Sequence, residues 1–237
     1  MQAGSVASSV PLRDRVARIT ARLRDVYGRH NPRPSTHPTD SLIATILSQH
    51  TSDINSGRAF VALKTRYPTW EEVAAADPEE LADTIRSAGL GRLKAQRIQA
   101  ALATIEERAG TMDLAFLHDL SLPEARVALA GVPGVGPKTA ACVLLFACGH
   151  PALPVDTHIH RVAGRLGLIE AGTTANRAHD VLESVVPPED VYDFHVNLIA
   201  HGRRVCTARR PHCEICVLQD CCRYFALHGA PAMEASS

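Results

Sequence analysis

Five of the seven cysteines in this chain fall between Cys206 and Cys222, in the order Cys206-x6-Cys213-x2-Cys216-x5-Cys222, with Cys221 as an extra neighbour. Four thiolates at such close spacing usually bind a metal. In a chain read as cytoplasmic, disulfides are disfavoured, and the Cys-x2-Cys centre suits either a tetrahedral zinc ion or an iron–sulfur cluster. Spacing alone leaves both open. Cys142 and Cys148 read differently: they lie within and just after the apolar run 141–146, where a thiol behaves as a small hydrophobe.

A second candidate is a lysine. Only Lys64, Lys94 and Lys138 among the 25 basic residues are not arginine. Arginine pairs with phosphate but stays protonated, whereas a desolvated lysine can become a neutral amine and a nucleophile. Lys138 lies in the string Gly131-Val132-Pro133-Gly134-Val135-Gly136-Pro137-Lys138-Thr139-Ala140. Gly134 and Gly136 lack the Cβ atoms that block close backbone approach, so Gly134, Val135, Gly136 and Thr139 can offer N–H groups to an anion. The amino end of the following helix adds its dipole. This string reads either as a clamp suited to a nucleic-acid phosphate or as an ordinary Gly-Pro connector between helices, and its lysine is misplaced for a Walker loop.

The third candidate is Asp156 in Pro154-Val155-Asp156-Thr157-His158-Ile159-His160. Asp156 or Thr157 caps a new helix, the plainer role for a carboxylate at that place. His158 and His160 lack ligand-spaced partners and read as structural histidines.

The elements that must position these residues are helical. Leu12, Val16, Ile19, Leu23 and Val26 repeat at three- and four-residue steps, and no comparable alternation marks a strand. Helix starts are expected at Asp40, at Pro78-Glu79-Glu80 and at Pro123-Glu124, and helix ends near Gly89, Gly110, Gly131 and Gly172. The expectation is an all-α protein of about ten short helices. Breakers at Asn31-Pro32-Arg33-Pro34 and Gly149-His150-Pro151 divide the chain into three segments. The middle one, 37–150, forms one domain; the N-terminal helix, within 1–36, joins the short Cys-rich segment 151–237 in a second. Residues 1–10 and 229–237 read as tails.

Composition sets bounds. At 237 residues and 46% hydrophobic, the chain can build a real core, and a net charge of zero counts against a strongly basic nucleic-acid binder. The distribution says more than the sum. Arginines crowd the start (Arg13, Arg15, Arg18, Arg22, Arg24, Arg29, Arg33) and a late stretch (Arg203, Arg204, Arg209, Arg210), with acids gathered from Glu71 to Asp83. The first group is either a solvated face or part of a phosphate-binding surface. No apolar run is long enough for a membrane span and the first ten residues do not form a signal peptide, so a cytoplasmic or nucleoid-associated location is expected.

Taken in order, Leu47-Ser48-Gln49, Gly89-Leu90, the hairpin Pro133–Ala140, Val155-Asp156-Thr157-His158 and the four-cysteine string resemble the endonuclease III branch of the helix-hairpin-helix DNA glycosylases, from about Leu12 to Cys222. The resemblance implies two helical domains with a DNA cleft between them: a six-helix barrel carrying the hairpin, and a domain holding a [4Fe–4S] cluster on Cys206, Cys213, Cys216 and Cys222. It makes Lys138 the nucleophile, Asp156 the essential carboxylate, Leu90 a duplex wedge, and the loop with Arg209 and Arg210 a DNA contact. The implied activity is a bifunctional glycosylase and abasic-site lyase acting, as a monomer, on oxidised pyrimidines in double-stranded DNA. The residue types suit that chemistry: a buried base must be flipped out and its gap filled by an apolar side chain. A monofunctional glycosylase, such as the adenine-excising branch, has no need of an amine at 138. A non-catalytic DNA-binding protein with a structural zinc is the reading from another class. Two positions depart from the pattern. His50 stands where the bacterial type has a glutamine that reaches toward the orphaned base, with Gln49 one residue earlier. Gly91 replaces a bulkier residue after the wedge and is expected to loosen that loop.

Overall fold

The computed structural model describes residues 10–30 and 37–229, so the breaker at 31–34, Arg33 and most of both tails lie outside the described residues. Among the described residues every regular element is helical: α1 (Leu12–Tyr27), α2 (Pro38–Ser48), α3 (Asp53–Arg66), α4 (Trp70–Ala75), α5 (Pro78–Thr84), α6 (Gly91–Ala109), α7 (Leu122–Leu129), α8 (Pro137–Phe146), α9 (Thr157–Leu166), α10 (Ala175–Val185), α11 (Val191–Arg204) and α12 (Arg223–His228), with single 3₁₀ turns between some of them. The count exceeds ten because α4 and α12, six residues each, are too short to show a period.

The chain divides into two compact units, one made of 32–154 and the other of 1–31 with 155–237. In the first unit α2 and α8 are apolar on most sides and buried accordingly. Leu42, Ile43, Ile46 and Leu47 of α2 meet Ile98 and Leu102 of α6 and Val143 and Leu144 of α8 in one core. Burying each such side chain stabilises the fold by about 1.5–3 kcal/mol. Cys142 is buried in α8, and Cys148 packs on the same core, where burial pushes its thiol up to about 11.

Caps locate the helix starts. Asp77 accepts from the amides of Glu79 and Glu80, and Ser121 with Glu124 forms a reciprocal box on α7. The expected start at Asp40 is corrected: α2 begins at Pro38, with the ring of His37 accepting from Thr39 N–H, and Asp40 lies in the first turn. Proline suits the first helical position because the amide it lacks would have no partner there.

In the second unit α1 buries Val16, Ile19 and Leu23, while Leu12 is half-buried and Val26 is exposed at the edge of the stripe. The N-terminal arginines are neither a solvated face nor a free basic surface as a group. Arg24 pairs with Asp190 (2.6 Å) and Asp193 (2.5 Å), Arg22 with Asp220, and Arg13 and Arg15 donate to carbonyls of Ser184, Leu166 and Gly167. They tether α1 to the C-terminal segment.

Candidate functional site

The residues singled out in the sequence divide between the two units. In the first, α7 ends at Leu129 and the chain turns through Gly131 and Gly134, whose φ angles of +72° and +79° are left-handed. At Gly134 a Cβ would also touch Arg97 and Ile46 at 3.7 Å, so glycine is favoured by conformation more than by space. Val135 N–H donates to Val132 O (3.0 Å), which closes the hairpin. Pro137 then starts α8, whose intrahelical bonding begins at Ala140 N–H to Gly136 O. The amides of Lys138 and Thr139 precede that bond and remain for an acceptor of another kind. Lys138 is half-buried, and its ammonium makes no ion pair or hydrogen bond among the described residues.

Gln49 is fully engaged in this unit. Its amide donates to Gly134 O (3.1 Å) and Thr139 Oγ1 (3.4 Å) and accepts from Arg97 (3.2 Å). It therefore braces the hairpin from the end of α2, and the buried Thr139 side chain is part of the brace. His50, next in sequence, is exposed with φ +56°. Leu90 caps α6 with φ +53° and is 56% exposed. For side chains of this kind the left-handed region costs about 1–2 kcal/mol. An exposed leucine held in a strained backbone is an outlier of the kind that gathers at functional sites. Gly91 does not loosen its loop. A Cβ there would lie 2.7 Å from Ala82 O, a backbone atom of α5, so the missing side chain lets α6 start hard against α5.

In the second unit Asp156 caps α9, with Oδ1 accepting from Ile159 N–H (2.8 Å). That occupies one carboxylate oxygen and fixes the rotamer, and the half-buried side chain keeps Oδ2 for other use. His160 donates to Thr173 O (2.7 Å) and His158 accepts from Arg161 (3.1 Å), so both serve the local structure.

Cys206, Cys213, Cys216 and Cys222 line one pocket together with Val162, Leu166 and Tyr224 among others; Cys221 is not in its wall. Burial raises the thiol pKa values of Cys213 and Cys222 and pushes Cys216 up to about 11, and each is raised further by other thiolates of the set. Such a group ionises readily only around a cation. His201, held neutral by burial with a pKa pushed down to about 4, lies with Nε2 3.5 Å from Cys216 Sγ and Nδ1 3.2 Å from the Tyr27 hydroxyl.

The loop between the first two cysteines is fastened from α9. Arg161 donates to Cys206 O (3.2 Å) and Gly202 O (2.8 Å); Arg165 donates to Thr207 O (2.6 Å), Ala208 O (2.8 Å) and Cys206 Sγ (3.3 Å). Arg209 and Arg210 stand exposed at its tip. Neither Arg161 nor Arg165 stood out in the sequence, although their four-residue spacing puts them on one face of α9. Arg97 and His201 carried no local signal at all.

An all-helical protein with a glycine hairpin before a lysine-bearing helix, a capping aspartate and a four-cysteine cavity belongs to the class of helix-hairpin-helix DNA-repair proteins. Residues 43–188 match the HhH-GPD superfamily base excision DNA repair protein family, and the chain belongs to that family. It is 36% identical over 214 residues to endonuclease III of Escherichia coli strain K12, covering 87% of this chain and 93% of that one. Against endonuclease III of Thermotoga maritima the figures are 35% over 194 residues, 82% and 86%. A longer relative from Arabidopsis thaliana, 34% identical over 187 residues, is covered to 64% of its length. Among solved structures, a trapped endonuclease III–DNA covalent intermediate superposes with a TM-score of 0.77 at 30% identity, over 92% of this chain and 99% of that one.

Proposed function

We propose that this chain is a bifunctional DNA glycosylase and abasic-site lyase that removes oxidised pyrimidines from double-stranded DNA, with Lys138 as nucleophile and Asp156 as the carboxylate that stabilises the sugar. The observation that carries it is the half-buried Lys138 ammonium, without a partner among the described residues, beside the uncommitted amides of the hairpin, in a chain whose relatives include endonuclease III. The hairpin amides hold a phosphate near the lesion, and Leu90 fills the gap left by the flipped nucleotide. The Lys138 amine attacks C1′ as the bond to the base breaks, and Asp156 offsets the positive charge that develops on the sugar. The C1′–O4′ bond then opens, O4′ takes a proton and C1′ becomes an iminium, which acidifies the C2′ proton; its loss expels the 3′ phosphate and cuts the strand. Incubation with duplexes carrying thymine glycol should give base release and strand scission; release without scission contradicts the lyase half of the reading.

The four thiols of Cys206, Cys213, Cys216 and Cys222 line one pocket, a donor set that suits a [4Fe–4S] cluster. Cys206, Cys213, Cys216 and Cys222 would hold the cluster, which supplies cross-links that fold the loops around it and leaves the reaction to other residues. Cys221→Ser is expected to keep the brown colour of the purified protein and Cys213→Ser to lose it along with solubility. A colourless wild type after anaerobic purification contradicts the cluster.

The loop held by Arg161 and Arg165 presents Arg209 and Arg210 to the DNA backbone. Changing both to alanine is expected to weaken binding to all sequences and to reduce the salt slope by about two units, one for each phosphate no longer neutralised. An unchanged slope excludes a phosphate-binding role for this pair. Among the described residues no helix is long and apolar enough to cross a membrane.

A further inference from the structure

Lys94 is 1% exposed, on the face of α6 that also buries Ala95, Ile98, Ala101 and Leu102. It has no carboxylate partner among the described residues. Its ammonium donates instead to Leu47 O (2.7 Å) and Ala88 O (2.8 Å). Both carbonyls end helical segments, Leu47 in the last turn of α2 and Ala88 at the close of the 3₁₀ turn Arg86–Ala88. Such carbonyls lack helical partners and carry the negative end of the dipole, so a cation between them satisfies both. Burial, and then the neighbouring Arg97 guanidinium, lower the Lys94 pKa from the ordinary lysine value. A methionine or leucine would fill this position without the desolvation cost. The charge therefore serves position more than stability.

What it positions follows directly in sequence. Three residues after Leu47 comes His50, and two after Ala88 comes Leu90, the two non-glycine residues with positive φ among the described residues. One turn along α6, Arg97 holds Gln49, which holds the hairpin through Gly134 O. Resting on the glycosylase and lyase reading above, we propose that Lys94 is a positioning residue that locks the His50 and Leu90 loops together from beneath, so that the wedge and the side chain beside it enter the duplex as one preset unit. The strained backbones persist because the surroundings over-determine them. The tie is made by a single ammonium shared between both carbonyls.

Lys94→Met keeps the stem and removes the donors. In the free protein, amide hydrogen exchange of residues 48–52 and 88–92 should accelerate together by about tenfold or more while α11 keeps its protection; no change, or an equal rise in α11, overturns the clamp. With DNA, cleavage at an abasic site in paired duplex should fall by about tenfold to a hundredfold. On single-stranded abasic DNA, where nothing need be unstacked, the fall should stay within about threefold. Equal reductions on both substrates overturn the positioning role. If methionine leaves the chain unfolded, Lys94→Gln, with a shorter reach and one amide group, is read the same way. A wild type that cleaves neither substrate defeats the lyase reading, and the exchange measurement on free protein still decides the clamp.

Discussion

Lys138→Ala is expected to reduce strand cleavage at an abasic site by at least about 10³ while leaving affinity for the same duplex within a few fold, because removing a nucleophile deletes a step and not a uniform binding interaction. On the proposed reading, phosphate binding falls to the backbone amides that precede the first bond of α8, Ala140 N–H to Gly136 O, and an alanine at position 138 leaves those amides in place. The Lys138 ammonium is half-buried and bonded to nothing among the described residues, so its removal should change stability by no more than about 0.5 kcal/mol. Single-turnover cleavage, equilibrium binding and thermal unfolding of one variant check all three. A parallel drop in binding contradicts the division of labour.

Asp156→Asn is expected to slow base excision by about 10²–10³, the usual cost of removing one preorganised electrostatic interaction with a developing charge. Here the bland and the catalytic roles of one side chain can be told apart. Asparagine caps a helix about as well as aspartate, so the bond to Ile159 N–H, and α9 with it, should survive. Asp156→Ala removes both functions and should also destabilise the fold by about 1 kcal/mol. If the asparagine variant excises bases at the wild-type rate with unchanged stability, Asp156 is a cap and nothing more.

The legible parts of this fold were those set by neighbours in sequence. The starts of α5 and α7 at their Pro-Glu segments, the end of α7 near Gly131 and the buried stripe of α1 all follow from residues within a turn or two. The cysteine string was legible because its members lie within 17 positions of one another, from 206 to 222. What escaped was long-range. Gln49 meets a carbonyl 85 residues away and Lys94 one 47 residues away, and neither pairing leaves a periodic trace. The N-terminal arginines looked like a surface because their partners, Asp190, Asp193 and Asp220, lie more than 160 residues downstream. Gly91 was misread for the same reason: the backbone atom that requires a glycine there belongs to another helix.

Borohydride reduction during turnover tests the central claim most directly. Wild-type protein mixed with an abasic or thymine glycol duplex should become covalently joined to the DNA, and peptide mapping of the adduct should place the reduced link on Lys138, with no adduct from Lys138→Ala. Base release by the wild type with no trappable adduct, or an adduct mapped to Lys64, Lys94 or the amino terminus, would contradict the account.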